Sequence, residues 1–214
     1  MKAKALILDL DGVITDTAKY HYLAWKALAD SLGFHFNETD NERLKGVSRM
    51  QSFEIILEIN GASSHFSEEE KQAFCERKNE LYKSFISTMT PADILPGIPE
   101  LLSRAKAEGV PVAVASVSKN APAVLSALGL SDSFDYIADA RKITKSKPDP
   151  EIFLVCADAL GVPYADCVGI EDAAAGIEAI HAAGMKSVGI HVAETGLSPD
   201  IPLSSTKELA NLEL

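Results

Sequence analysis

The chain has 214 residues, of which 47% are apolar and 24% charged, the usage of a globular protein and not of a disordered chain. This length accommodates one medium domain, or one domain carrying a smaller insert, with a core that needs no staples. Lys and Arg number 20 against 31 Asp and Glu, a formal charge of −11, which argues against nucleic-acid binding through basic surface but leaves room for a local pocket for a small phosphorylated ligand.

Residues 3–10 (AKALILDL) form a short apolar run of the kind buried on both faces of a parallel sheet. From Thr17 to about Met89 the pattern is helical. Tyr20, Leu23, Ala24, Ala27 and Leu28 share one face, 53–59 continues the signal, and 67–86 opens on Ser67 with Glu70 three residues on, a capping box. Pro91, Pro96 and Gly97 mark a return to alternating elements. Helical patterns at 98–109, 121–130, 149–161 and 174–184 each carry a Gly near the end, and strand-like runs fall at 110–116, 134–140, 165–172 and 185–192. The expected fold is α/β: a Rossmann-like parallel sheet core with helices on both faces, from 1–15 and 90–214, and a small helical cap domain, 16–89, inserted after strand one.

Cys75, Cys156 and Cys167 are an odd number without CxxC spacing, which weakens disulfide and zinc readings and suits a reducing cytoplasm. No apolar stretch approaches the roughly 18 residues of a membrane span. Asp9 and Asp11 interrupt the first apolar run too early for a signal peptide.

The chemistry gathers at strand ends. Asp9 and Asp11 leave strand one at i and i+2, and Gly12 lets the chain turn at once. Paired carboxylates among apolar residues need compensation, which a hard cation such as Mg²⁺ supplies; a carboxylate so screened can attack a phosphoryl group. The alternative is a solvated Asx turn. Glu171 and Asp172 end a later strand ahead of a helix, and in an open α/β sheet both acidic pairs converge on one edge. A helix N-terminal pair favoured by the macrodipole is the competing reading. Ser116 follows another strand and offers a hydroxyl for phosphate oxygens, or simply an N-cap. Lys147, held extended by Pro148, offers an ammonium for a transferring phosphoryl group, or a plain surface charge.

Taken in order, DLDGVITDT (9–17), ASVS (115–118), SKPDP (146–150) and GIEDA (169–173) resemble the four motifs of the haloacid dehalogenase-like superfamily of phosphotransferases, across essentially the whole chain. The resemblance implies Asp9 as nucleophile, Asp11 as general acid/base, and Ser116 and Lys147 as phosphate and charge partners. It also implies an Mg²⁺ held by Asp9, Asp11 through its carbonyl, Glu171 and Asp172.

A mutase must also grip a doubly phosphorylated intermediate, so it needs a second phosphate site away from Asp9, and a closing cap is the natural place. In LKGVSRMQS (44–52), Gly46 permits close backbone approach and Arg49 offers a bidentate fork. The pattern resembles the hexose-phosphate mutases of that superfamily in its cap loop (Lys45, Gly46, Val47, Ser48, Arg49 and Ser52) and in the run Arg77–Lys78–Asn79. It resembles them also in Thr17, His21 and Trp25, and in Ser116, Val117, Ser118, Lys119 and Asn120. Substrate binding is implied for Thr17, His21, Trp25, Lys45, Gly46, Val47, Ser48, Arg49, Ser52, Lys78, Val117, Ser118 and Asn120. Blander roles remain open at this point: a solvated loop at Lys45 and Arg49, an exposed Lys78 paired with Glu76, a packing His21 beside Tyr20, a core Trp25.

The resemblance implies Mg²⁺-dependent interconversion of β-D-glucose 1-phosphate and glucose 6-phosphate through an aspartyl phosphate and β-glucose 1,6-bisphosphate. The alternatives are a sugar-phosphate phosphatase, phosphonoacetaldehyde hydrolysis through a Schiff base at Lys45, and a non-catalytic sugar-phosphate sensor. The expected partners are small hexose phosphates, with neither nucleic acid nor membrane, and the acidic surface and self-contained core suggest a monomer.

Overall fold

The computed structural model describes residues 3–44, 48–191 and 198–213. The chain divides into two compact units, Met1–Asp16 with Met89–Leu214, and Thr17–Thr88.

The first unit is built on a parallel sheet. Its strands are β1 (Ala5–Leu8), β2 (Val112–Val114), β3 (Tyr136–Ile137), β4 (Cys167–Glu171), β5 (Lys186–Ile190) and β6 (Ile201–Leu203), in the order β3-β2-β1-β4-β5-β6. β1 lies between β2 and β4, pairing Leu8 with Val114 and with Ile170. All four residues of β1 are buried. Ala5 and Ile7 enter a cluster with Ala113, Phe153, Cys156, Ile177 and Ile180, so alternation sends Leu6 and Leu8 to the opposite face, also covered.

Four helices of this unit follow the apolar periodicity: α5 (Ile98–Glu108), α6 (Ala121–Ala127), α7 (Glu151–Leu160) and α8 (Ala174–Ala182). Gly109 and Gly161 end α5 and α7 in the left-handed conformation, which a side chain would strain. The edge strand β6 has no counterpart in the sequence reading. It is three residues long with Pro202 at its centre, and proline in a strand is tolerated at an edge, where its missing N–H costs no ladder bond.

The second unit contains α1 (Ala18–Ser31), α2 (Glu38–Glu42), α3 (Arg49–Ile59) and α4 (Glu68–Ile86). Its core joins Trp25, Leu28, Phe36, Phe53, Ile56, Leu57 and Cys75. Ser67 and Glu70 cap α4 reciprocally, and Ser48 with Gln51 does the same for α3. The short α2 is a further element absent from the sequence reading; it buries no residue, so it has no apolar stripe to betray it. Among the described residues no helix is long and apolar enough to cross a membrane.

Candidate active site

The ladder continues past the end of β1. The Asp9 amide donates to the Ile170 carbonyl at 3.0 Å, and the Ala115 amide donates to the Leu8 carbonyl at 2.8 Å. Asp9 therefore stands between the residue before Ser116 on one side and Glu171 on the other, at the carboxyl ends of three adjacent parallel strands, the place where open α/β sheets bind ligands.

Lys147 reaches this edge from the stretch between β3 and α7. Its ammonium donates to Asp9 Oδ1 at 2.6 Å and to Glu171 Oε1 at 2.5 Å, and lies 5.2 Å from the centre of the Phe153 ring. Burial works against the charge on Lys147, but the two carboxylates outweigh it and hold the ammonium protonated well above its ordinary range. The other oxygen of Glu171 accepts the amides of Asp172 and Ala173, at 2.9 and 2.8 Å, where the chain enters α8.

Asp9, Glu171 and Asp172 each turn an oxygen into a space where the three lie within 4.8 Å of one another. Burial, with the charges of Glu171 and Asp11, pushes Asp9 up to about 8 against the pull of Lys147. Asp172 is pushed up to about 7 by burial and by Glu171. One ammonium does not neutralise this cluster. A hard divalent cation would, and an all-oxygen donor set is the kind that holds one. Asp11, half-buried, faces the Thr15 turn and adds its charge to that felt by Asp9.

Ser116 is 4% exposed. Its hydroxyl accepts the Ser118 amide at 3.2 Å, and the Ser118 hydroxyl accepts the Asn120 amide at 3.3 Å. These turns carry the chain from β2 into α6, whose N-cap is Asn120, so Ser116 is not the helix cap. Asn120 is buried, while Val117 is exposed.

Residues 3–184 match the family model for haloacid dehalogenase-like hydrolases. The chain belongs to the haloacid dehalogenase-like hydrolase family. It is 48% identical to the β-phosphoglucomutase of Bacillus subtilis (strain 168) over 211 residues, covering 99% of this chain and 93% of that one. The structure of a β-phosphoglucomutase from Clostridium difficile superposes with a TM-score of 0.87 at 49% identity, covering 97% of this chain and 93% of the other. A fructose-1-phosphate phosphatase of Escherichia coli (strain K12) is 32% identical over 187 residues, covering 87% of this chain and 96% of that one.

The helical unit of this family member holds a second polar group. Lys78, on α4, is 2% exposed, and its ammonium lies 2.8 Å from His21 Nδ1 and 5.0 Å from the ring centres of both Trp25 and Tyr82. Burial, reinforced by the charge of Arg49, lowers Lys78 to about 7. Burial, with Lys78 and Arg49, lowers His21 to about 3, and its ring stacks on Tyr82 at 4.1 Å. The reading of Lys78 as an exposed helix lysine is therefore overturned. Arg49 donates to Asn79 Oδ1 at 2.9 Å. Trp25 is buried in the unit's core with its ring nearly parallel to that of Phe53. Thr17 is fully buried, and the Ser52 hydroxyl donates to the Ser48 carbonyl at 3.0 Å. Lys45, Gly46 and Val47 lie outside the described residues.

Two supporting residues went unassigned in the sequence reading. Asn79 orients Arg49. Gly176, inside α8, lies so close to Glu171 that a β-carbon there would stand 2.0 Å from Glu171 Oε1. A glycine amid alanines in an otherwise good helical run was the available signal, because it costs ~1 kcal/mol relative to alanine and so calls for a reason.

Proposed function

We propose that the chain is a Mg²⁺-dependent mutase interconverting β-D-glucose 1-phosphate and glucose 6-phosphate through β-glucose 1,6-bisphosphate. Phosphoryl transfer is supported chiefly by one observation: Asp9 held at 2.6 Å by the Lys147 ammonium inside an otherwise acidic cluster. The choice of a mutase over a phosphatase is supported by 48% identity to a β-phosphoglucomutase across nearly all of both chains, against 32% for the phosphatase above.

In this reading the Asp9 carboxylate attacks phosphorus, the bond to the sugar oxygen breaks, and Asp11 gives that oxygen its proton. The product is an aspartyl phosphate. In the second half the other sugar hydroxyl gives its proton to Asp11 as its oxygen attacks the phosphoryl group, and Asp9 leaves as the carboxylate. Lys147 offsets the negative charge gathered around Asp9, and Ser116 with its neighbouring amides holds phosphoryl oxygens. A magnesium ion bound by Asp9, Glu171, Asp172 and the Asp11 carbonyl would supply further charge neutralisation.

Arg49, with Lys45, Gly46, Val47, Ser48 and Ser52, is assigned to the second phosphate, and Val117, Ser118 and Asn120 line the sugar-phosphate path. Thr17, His21, Trp25 and Lys78 act together to sense the sugar. The three free, buried cysteines support a reducing, cytoplasmic setting. The deciding experiment is a coupled assay with both anomers of glucose 1-phosphate, Mg²⁺ and a trace of bisphosphate. Glucose 6-phosphate should form from the β anomer; phosphate release without isomerisation would overturn the mutase.

A further inference from the structure

Lys147 stands on the stretch of chain between β3 and α7. A lysine stem is long and rich in rotamers, so where its ammonium sits depends on how firmly its backbone is held. The hold comes from Glu151, the first residue of α7. Its carboxylate accepts the Thr144 amide at 3.0 Å on each oxygen, the Thr144 hydroxyl at 2.9 Å and the Lys145 amide at 2.6 Å. Asp149 closes the other side. Its Oδ1 accepts the Glu151 amide at 3.0 Å, its Oδ2 pairs with the Lys145 ammonium at 3.3 Å, and its own amide donates to the Ser146 carbonyl at 3.1 Å. Lys147 thus spans two anchored points, both tied to the start of the helix whose Phe153 ring lies beside its ammonium. Backbone donation from Thr144, foremost, holds the Glu151 carboxyl below its ordinary range, as suits an anion at a helix N-terminus.

We propose that Glu151 is a positioning residue for Lys147. By fastening the amides of Thr144 and Lys145 to the start of α7, it sets the ammonium against Asp9 and Glu171, and so sets the rate of phosphoryl transfer to Asp9. The inference rests on the phosphoryl-transfer reading above. A role confined to capping α7 would lower stability, and its effect on rate would not depend on Lys147.

The test uses the full chain carrying Glu151→Ala or Glu151→Gln, each alone and combined with Lys147→Ala. The readouts are the unfolding midpoint, the rate of aspartyl-phosphate formation from β-glucose 1,6-bisphosphate with Mg²⁺, KM for the sugar phosphate, and the ¹⁵N resonance of the Lys147 ammonium without substrate. Glu151→Ala should slow transfer by roughly 10–100-fold, the size of effect expected from misplacing a reacting group by about 1 Å. KM should change less than kcat, and Glu151→Gln, which keeps one accepting oxygen, should fall between. On the Lys147→Ala background the loss of Glu151 should cost nothing further, and in the single variants the ammonium resonance should shift or broaden. Transfer unchanged in Glu151→Ala, an equal slowing on the Lys147→Ala background, or an unmoved resonance would overturn the proposal. Should the parent protein form no aspartyl phosphate, the phosphoryl-transfer reading fails, and the resonance still decides whether Glu151 places Lys147.

Discussion

Gly12 presses against Asp172: a β-carbon on Gly12 would lie 2.0 Å from Oδ2 and 2.3 Å from Cγ of the aspartate, at a φ of +76°. The turn after Asp11 therefore closes directly onto the acidic pair that ends β4. Gly12→Ala strains the backbone by about 1–3 kcal/mol and also drives the Asp172 carboxylate from its place. The expected outcome is a fold that survives with weakened Mg²⁺ binding, measured by calorimetric titration. Unchanged Mg²⁺ affinity would remove Asp172 from the metal site.

Gly176→Ala sets two effects against each other. Alanine is the better helix former by ~1 kcal/mol, so α8 taken alone gains. The added methyl, however, would occupy the space of the Glu171 carboxylate, which is 2% exposed and has little room to retreat. Activity should fall by at least about tenfold, since Glu171 both holds Lys147 and faces the cluster. A steady-state assay and a melting curve on the same preparation would separate the two; a more stable and fully active variant would show that Glu171 tolerates displacement.

The strand-end chemistry was legible because it is local. DLDG and GIED each put charged residues where an apolar run stops, and the parallel sheet brings these stops to one edge, whereas SKPDP lies on the stretch leading into α7. What the sequence concealed was held by distant partners or by backbone. No periodicity announces Glu151, an exposed-looking acid after a proline whose partners are amides six and seven residues away. Lys78 could be read as a solvated lysine because its burial comes from aromatic rings on α1 and α4, not from its immediate neighbours. β6 and α2 escaped for want of an apolar stripe.

The pair of Lys78 and His21 carries a pH dependence of stability. Lys78 titrates at about 7 in the fold against 10.5 ordinarily, so between those values the unfolded chain binds the extra proton. Stability should therefore rise with pH across that window and be lowest below it, each unit of the gap corresponding to ~1.4 kcal/mol. His21, at about 3 against 6.5, adds a second rise between those values. Urea unfolding of the ligand-free protein from about pH 3 to 10.5 measures both. Lys78→Met, which keeps the apolar stem, should flatten the upper window and narrow the lower one, because His21 loses the Lys78 charge that helps to lower it. An unchanged slope above pH 7 in that variant would mean that Lys78 is charged in the fold.

Asp11 and Arg49 should fail in distinguishable ways. In the proposed reaction Asp11 handles the proton in every phosphoryl transfer, whether the acceptor is a sugar hydroxyl or water. Asp11→Asn keeps the side chain's size and removes the proton, so both isomerisation and hydrolysis should drop by roughly 10²–10⁴. Arg49, oriented by Asn79, is assigned to the phosphate that does not react. Hydrolysis needs only the site at Asp9, whereas isomerisation needs the bisphosphate to stay bound while it turns end for end. Arg49→Ala should therefore depress mutase turnover by about tenfold or more while the aspartyl phosphate still reacts with water at near its parent rate, shifting the product ratio toward free phosphate. Asn79→Ala, which frees the guanidinium without deleting it, should move the ratio the same way by less. Measuring glucose 6-phosphate and inorganic phosphate in one reaction decides the matter. An equal fall in both products for Arg49→Ala, or a fall in neither, would take the second phosphate away from Arg49.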